Sequence, residues 1–186
     1  ALPIYNTQTA YEVYAQQWAD LTDKSNGYGV SIMNDCKYGW DKPNENTIRL
    51  SLLHTPSTQG NYTYQDHQDF GHHVFTYSLV GHQGSLNKTE IANKAEILNQ
   101  PLKAFFATKH SGELGKNFTF ASSNNPNVVI KALKKAESSD EYVVRVYEMG
   151  GEVSQNAEIT FAGNITSACE ADGTEKEIGG ASFEQN

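Results

Sequence analysis

Four of the six histidines fall in the stretch of residues 66–82, which also carries two aspartates. Imidazole nitrogens and carboxylate oxygens are ligands that zinc and other divalent ions accept. The candidate ligands are Asp66, His67, Asp69, His72 and His82. Their spacing matches no named metal motif, so a structural role for these histidines is the competing interpretation. A small metal-dependent hydrolase that uses Asp66, His67, Asp69 and His82 is therefore one hypothesis.

Paired carboxylates are a second source of chemistry, because a glycosidase places two carboxyl groups on either side of one glycosidic bond. The sequence offers Asp20 with Asp23, Asp66 with Asp69, and Glu148 with Glu152. In a chain with a net charge of −8, most such pairs are solvated loop residues. These pairs do not by themselves predict a catalytic centre.

A third candidate is the stretch IMNDCKYGW at residues 32–40. The residues that can reach a ligand from it are Asn34, Asp35, Cys36, Lys37 and Tyr38. One interpretation is a corner at a strand end, where Asn34 and Asp35 fold back onto the loop's own amides and Gly39 takes a backbone angle that other residues avoid. The alternative is a sugar-binding loop, because Asn, Asp and Lys can hydrogen-bond hydroxyls while Tyr38 and Trp40 can stack on a pyranose.

Composition excludes several classes of partner. The chain has 22 acidic against 14 basic residues and no basic cluster, which argues against nucleic acid. Its apolar runs are far shorter than the roughly 20 residues of a membrane helix, so we expect no membrane partner. Cys36 and Cys169 are the only cysteines. This count is typical of a reducing compartment, and we expect the cytoplasm, with a secretory or vacuolar route left open.

The elements that must position these residues are mostly strands. Period-two alternation predicts strands at residues 11–14, 29–34, 47–53, 73–80, 128–133, 142–147 and 157–161. Ile91, Ala95 and Leu98 recur at helical spacing before Pro101 and predict one short helix. Residues 41–46, 55–69, 109–115 and 122–127 have the composition of loops, and 138–140 that of a hairpin turn. Together they predict an all-β fold, an antiparallel β-sandwich with one short helix, in a single domain over residues 1–186.

Several segments resemble one family in their order and spacing. They are WADLTD (18–23), YGVS (28–31), NDCKYG (34–39), RLSLL (49–53), GHHVFTYSL (71–79), LNQPL (98–102), KALKKAE (131–137) and RVYE (145–148). They are similar to the C-terminal β domain of glycoside hydrolase family 38, the α-mannosidases. The ordered set WADLTD, NDCKYG and FTYSL is much more specific than any one motif alone.

This resemblance implies a portion of a galactose mutarotase-like super-sandwich within a larger retaining α-mannosidase. In the family, an N-terminal barrel domain carries the catalytic zinc and the aspartate nucleophile, and a small helical domain follows it. None of those motifs is present here, so the resemblance implies a chain that is inactive alone and has no catalytic or metal-binding residue of its own. Its implied partners are the barrel and helical domains of the same polypeptide and a mannose-containing oligosaccharide.

The resemblance also implies a place for the loop. In related enzymes the segment that matches residues 35–37 lies at the mouth of the barrel's active site, so Asn34, Asp35, Cys36, Lys37 and Tyr38 form the expected substrate-proximal loop. The leading hypothesis is a non-catalytic domain that packs on the barrel and helps to shape the sugar pocket. The alternatives are a free-standing carbohydrate-binding β-sandwich module and the small metal-dependent hydrolase.

Overall fold

The computed structural model describes residues 9–55, 70–151 and 153–185. Within them the chain forms twelve strands and one helix. The elements are β1 (Ala10–Tyr14), β2 (Trp18–Asp23), β3 (Tyr28–Asn34), β4 (Gly39–Asn44), β5 (Thr47–Leu50), β6 (Tyr77–Gln83), α1 (Lys88–Asn99), β7 (Ala121–Ser123), β8 (Val128–Lys135), β9 (Tyr142–Glu148), β10 (Ile159–Phe161), β11 (Cys169–Ala171) and β12 (Glu177–Gly180).

The predicted all-β class is confirmed, because every strand pair is antiparallel and the described residues contain a single short helix. The chain divides into two compact units, Ala1–Ala104 and Phe105–Asn186. The candidate loop at residues 34–38 lies in the first unit.

The first unit contains two three-stranded sheets, in the orders β2-β3-β6 and β1-β4-β5. Their contact is a cluster around Trp40 of β4, which packs with Ala15 and Ala19 and against Ile32 of β3. The Trp40 side chain is buried, and its Nε1 donates to the Ala15 carbonyl oxygen at 3.0 Å. An indole needs this partner when its N–H leaves water, so one residue supplies both the packing and the polar contact.

The opposite face of the β2-β3-β6 sheet is covered by α1. The helix begins after Asn87, whose side-chain oxygen accepts from the Glu90 amide at 3.1 Å, as an N-cap should. Ile91 and Ala95, one turn apart, are buried against a cluster that includes Met33 of β3. The predicted helix is thus confirmed. No helix in the described part of the chain is long and apolar enough to cross a bilayer.

Three predictions about this unit are wrong in their boundaries, and one of them is the strand expected at residues 47–53, which ends at Leu50. Residues 41–46 were expected to be a loop, but residues 41–44 belong to β4, the central strand of its sheet. Pro43 lacks an N–H, and the β4–β5 register is irregular between Asp41 and Asn44. The strand expected at residues 73–80 begins later, since residues 72–76 belong to no strand and β6 starts at Tyr77.

The second unit is built on the β8–β9 hairpin, whose connection spans residues 136–141 and includes the turn predicted at residues 138–140. Two shorter pairs, β7–β10 and β11–β12, accompany it. Lys134 of β8 contacts Glu137 at 2.6 Å and Glu175 at 2.7 Å. These ion pairs connect the β8–β9 turn to the β11–β12 turn.

Candidate functional site

The loop after β3 is organised from inside by Asn34. Its side-chain oxygen accepts from the backbone amides of Cys36 at 3.1 Å and Lys37 at 2.6 Å. The backbone amide of Asn34 donates to the Gln17 carbonyl at 2.8 Å, and the backbone carbonyl of Asn34 accepts from Asn99 Nδ2 at 3.0 Å. The prediction that Asn34 folds back onto the loop's amides is confirmed. Since the Asn34 side chain is buried, its role is to set the loop's shape.

Asp35 joins the loop to the segment that precedes β6. Its amide donates to the Thr76 carbonyl at 3.2 Å, and its Oδ1 accepts from the Thr76 amide at 3.3 Å. The pKa of Asp35 is lowered mainly by a hydrogen bond from the Cys36 thiol and, to a smaller extent, by hydrogen bonding with Thr76. The hydrogen bonds with Thr76 thus join two chain segments that are 41 residues apart.

Lys37 is held over an aromatic side chain of the same segment. Its Nζ lies 4.4 Å from the centroid of the Phe75 ring, within the range of a cation–π contact. The His73 ring stacks on Phe75 with centroids 5.9 Å apart and planes 9° apart. The loop and the segment that precedes β6 therefore form one surface that carries Lys37, Phe75 and His73.

Two expectations about the loop's far end are wrong. Trp40 cannot stack on a sugar, because it is only 2% exposed and fills the core between the two sheets. Gly39 begins β4 without a positive φ, and a Cβ built there would meet Ser51 Cβ at 3.4 Å. Tyr38 is the remaining aromatic of the loop, with 54% of its surface exposed. The carbohydrate-binding-module hypothesis is therefore left without an exposed tryptophan in this loop.

Two exposed side chains of this loop, the Asp35 carboxylate and the Cys36 thiol, share a hydrogen bond. A hydrogen bond to Asp35, partial desolvation and the negative charge of Asp35 raise the pKa of the Cys36 thiol. A raised pKa lowers the thiolate fraction at neutral pH, and the thiolate is the species that reacts with alkylating agents. Cys36 is exposed, yet its surroundings make it a poor nucleophile.

We therefore expect Asp35→Asn to accelerate alkylation of Cys36, because the negative charge that raises the thiol pKa is removed. The measurement is the iodoacetamide rate against pH in a Cys169→Ser background, with the midpoint of the profile moving to lower pH. Asp41→Asn is the matched control, since that carboxylate binds Arg49 on the neighbouring strands. An unchanged midpoint in Asp35→Asn would contradict the coupling.

A second cluster lies on the α1-facing side of the β2-β3-β6 sheet and centres on Asp20. Its Oδ1 accepts from Ser31 Oγ at 2.6 Å and lies 3.0 Å from His82 Nε2, while its Oδ2 accepts from Thr22 Oγ1 at 2.5 Å. Ser, His and Asp side chains thus meet here, but both Ser31 and His82 bind the carboxylate. A catalytic triad needs the histidine next to the serine oxygen, so this arrangement is a structural network.

Of the carboxylate pairs predicted from sequence, only Asp20 with Asp23 lies wholly within the described residues, and its two carboxylates are not brought together. Asp23 lies three residues after Asp20 on β2, so the two side chains point to opposite faces of the strand. Asp23 instead caps the following turn, where hydrogen bonds from Ser25 and Asn26 lower its pKa to about 2. Glu148 binds the backbone amides of residues 150 and 151. The remaining members Asp66, Asp69 and Glu152 lie outside the described residues.

The metal-site hypothesis has little support in the described residues. Of its ligands, Asp66, His67 and Asp69 lie outside them, and His82 is held by Asp20 inside the first unit. Within residues 9–55, 70–151 and 153–185, no three His, Cys, Asp or Glu side chains are grouped so as to hold a metal ion. The described side chains therefore do not fit a zinc ion, which the family resemblance implies for another domain.

Sequence reasoning missed the segment that completes the loop. Phe75, Thr76 and Asn99 contact residues 34–37 but lie about 40 to 65 positions further along the chain. Only the motif GHHVFTYSL, which contains Phe75 and Thr76, marked part of this segment, and it gave no indication of contact with the loop. The pairing of β3 with β6 brings the two together, since Asn34 lies opposite Tyr77.

Comparison with known proteins identifies the same family as the sequence motifs. The model described as "Glycosyl hydrolases family 38 C-terminal domain" matches residues 5–61, and the "Glycosyl hydrolases family 38 C-terminal beta sandwich domain" matches residues 127–186. Alpha-mannosidase G of Dictyostelium discoideum is 35% identical over 153 residues, which cover 79% of this chain and 13% of that protein. The chain belongs to the C-terminal region of glycoside hydrolase family 38.

Other relatives of this family 38 region give the same result. Alpha-mannosidase 2C1 of Homo sapiens is 35% identical over 153 residues, covering 79% of this chain and 14% of that protein. Alpha-mannosidase of Saccharomyces cerevisiae is 33% identical over 168 residues, covering 80% of this chain and 14% of that protein. The family 38 chain thus spans only 13–14% of the length of these relatives. The family resemblance inferred from the motifs is confirmed.

Proposed function

We propose that this chain is the non-catalytic C-terminal β-sandwich part of a retaining α-mannosidase that removes terminal α-linked mannose from oligosaccharides. The observation that carries the proposal is 33–35% identity, over most of the chain, to proteins named alpha-mannosidase. In this proposal a barrel domain of the same polypeptide holds the zinc and performs the chemistry. The chain packs on that barrel as one domain over residues 1–186, and the protein works in the cytoplasm.

We propose further that Asn34, Asp35, Cys36, Lys37 and Tyr38 lie next to the sugar. The rigidity of the loop supports this, because Asn34 fixes it from inside and Asp35 ties it to Thr76. A preorganised loop positions its exposed groups at little entropic cost. The buried Nδ2 of Asn34 also has no acceptor among the described residues. A buried donor without a hydrogen-bond partner costs free energy, and this cost favours an acceptor from elsewhere in the protein or from its ligand.

The roles within the loop follow from exposure. Asp35 and Tyr38 are exposed, so they are the side chains that can accept or donate a hydrogen bond to a sugar hydroxyl. Lys37 lies on Phe75, where its ammonium adds positive charge without reaching freely into solvent. Asn34 acts through the backbone that it holds. The loop would thus orient substrate, and the reaction itself belongs to the other domain.

The test is turnover of an aryl α-mannoside by the full polypeptide carrying Asp35→Ala or Tyr38→Phe. Loss of a charged hydrogen bond costs about 1.5–3 kcal/mol, so we expect kcat/KM to fall at least about tenfold in Asp35→Ala. Asp41→Ala removes a carboxylate of β4 that binds Arg49 instead of the loop, and should leave kcat/KM unchanged. Normal folding with unchanged kcat and KM in both loop variants would remove the loop from the sugar pocket.

A further inference from the structure

The two faces of the β2-β3-β6 sheet are covered to different extents. One face carries Met33 and packs on α1, while the other packs on the second sheet only around Ala19 and Ile32. Beyond that contact, four large apolar or aromatic side chains of β3 and β6 point to solvent. These residues, which we call the open face, are Tyr28, Val30, Tyr77 and Leu79.

Strand register shows that the open face is continuous. Leu79 lies opposite Ile32, Tyr77 lies opposite Asn34, and residues two apart on a strand share a face. Leu79 is 62% exposed and Tyr77 is 58% exposed. None of the four side chains carries a charge. Contiguous uncharged apolar surface of this kind marks an interaction site, and tyrosine is enriched at the centres of such interfaces.

The open face also adjoins the candidate loop. Because Tyr77 pairs with Asn34, the apolar surface begins where the loop begins and runs along β3 and β6 away from it. A domain that covers Tyr77 and Leu79 therefore lies next to the loop that carries Asp35 and Tyr38. A covering domain would place this loop at the rim of the contact.

We infer that the open face binds the catalytic region of the same polypeptide. This rests on the proposed function and names the surface through which the two parts meet. The relatives are about six times as long as this chain, so a large remainder of polypeptide is available to cover this face. The matching surface on that region must be apolar and uncharged, because an unpaired charge buried against Leu79 or Val30 would not be compensated.

The experiment compares Leu79→Ala and Leu79→Glu with Ile97→Ala and Ile97→Glu in the full polypeptide. Ile97 is 64% exposed on α1, which packs on the opposite face of the sheet, so its exposure in this unit matches that of Leu79. If the open face is covered, both Leu79 variants lower the thermal unfolding midpoint by several degrees and both Ile97 variants leave it within about a degree. Leu79→Ala keeps the test valid if the glutamate variant does not fold.

Two outcomes would overturn the inference. Equal small shifts at positions 79 and 97 would show that Leu79 remains solvated in the whole protein. A wild-type dimer that Leu79→Glu converts to a stable monomer would identify a second copy as the occupant. The readout is stability, whereas the test of the loop reads kcat and KM, so the failure of one proposal is distinguishable from failure of the other.

Discussion

Asp20→Ala is expected to destabilise the first unit by about 3–5 kcal/mol, because it removes the shared acceptor of a buried polar network. Ser31 is fully buried and donates to this carboxylate, and His82 Nε2 lies 3.0 Å from it. Without Asp20 neither group has its partner, and each buried group left unsatisfied costs about 1–3 kcal/mol. Urea unfolding followed by circular dichroism measures the loss, with the m-value unchanged.

The matched control is Asp41→Ala, which removes one carboxylate from an ion pair on the other sheet. Asp41 makes two hydrogen bonds with Arg49, both at 2.6 Å, but the Arg49 side chain is more than half exposed. Water replaces the lost partner there, so a much smaller loss of stability is expected. Similar losses for Asp20→Ala and Asp41→Ala would mean that burial of the network does not determine its contribution.

Gly29→Ala is expected to cost at least about 1–3 kcal/mol, through overpacking at the same network. A Cβ at this position would lie 2.4 Å from His82 Nε2 and 2.9 Å from Thr22 Oγ1. Both distances are shorter than contact between these atoms allows. Either the His82 ring moves away from Asp20 or β3 shifts, and both changes break hydrogen bonds that the network requires. Thermal unfolding of the variant measures the loss.

Gly81→Ala on the neighbouring strand is the control for glycine itself. Gly81 lies in β6 opposite Val30, and nothing lies within 4 Å of a Cβ built there. Replacing it by alanine restricts the unfolded chain without a clash, so stability should be unchanged or slightly higher. A large loss at Gly81 would show that the sheet rejects any side chain at these positions and that the approach of His82 is irrelevant.

The sequence predicted the fold class and the helix because their causes are local. Alternation in residues 29–34 reflects the two faces of one strand, and the spacing of Ile91 and Ala95 reflects one helical turn. β4 was missed because Pro43 and neighbouring polar residues have the composition of a loop. Pairing with strands on both sides holds that segment extended, and this tertiary cause is invisible to local composition.

The candidate site was predicted in part. Asn34 was interpreted correctly as a residue that shapes the loop, since an asparagine at a strand end favours bonds to nearby amides. The sugar-binding alternative required Trp40 at the surface, although this residue is the centre of a core cluster. Position in a motif does not tell which face of a strand a residue occupies. The contacts of Phe75 and Thr76 with the loop depend on strand register, which sequence spacing does not encode.

The close approach of Gly29 to His82 has a consequence for how this family can diverge. A side chain at position 29 meets the imidazole at position 82, so enlarging residue 29 alone carries a penalty that a smaller residue at 82 removes. Among relatives, we expect residues at positions 20, 29, 31 and 82 to be inherited together. A lineage with a larger residue at 29 should carry a smaller one at 82. Such covariation would record this contact in sequences whose structures are not known.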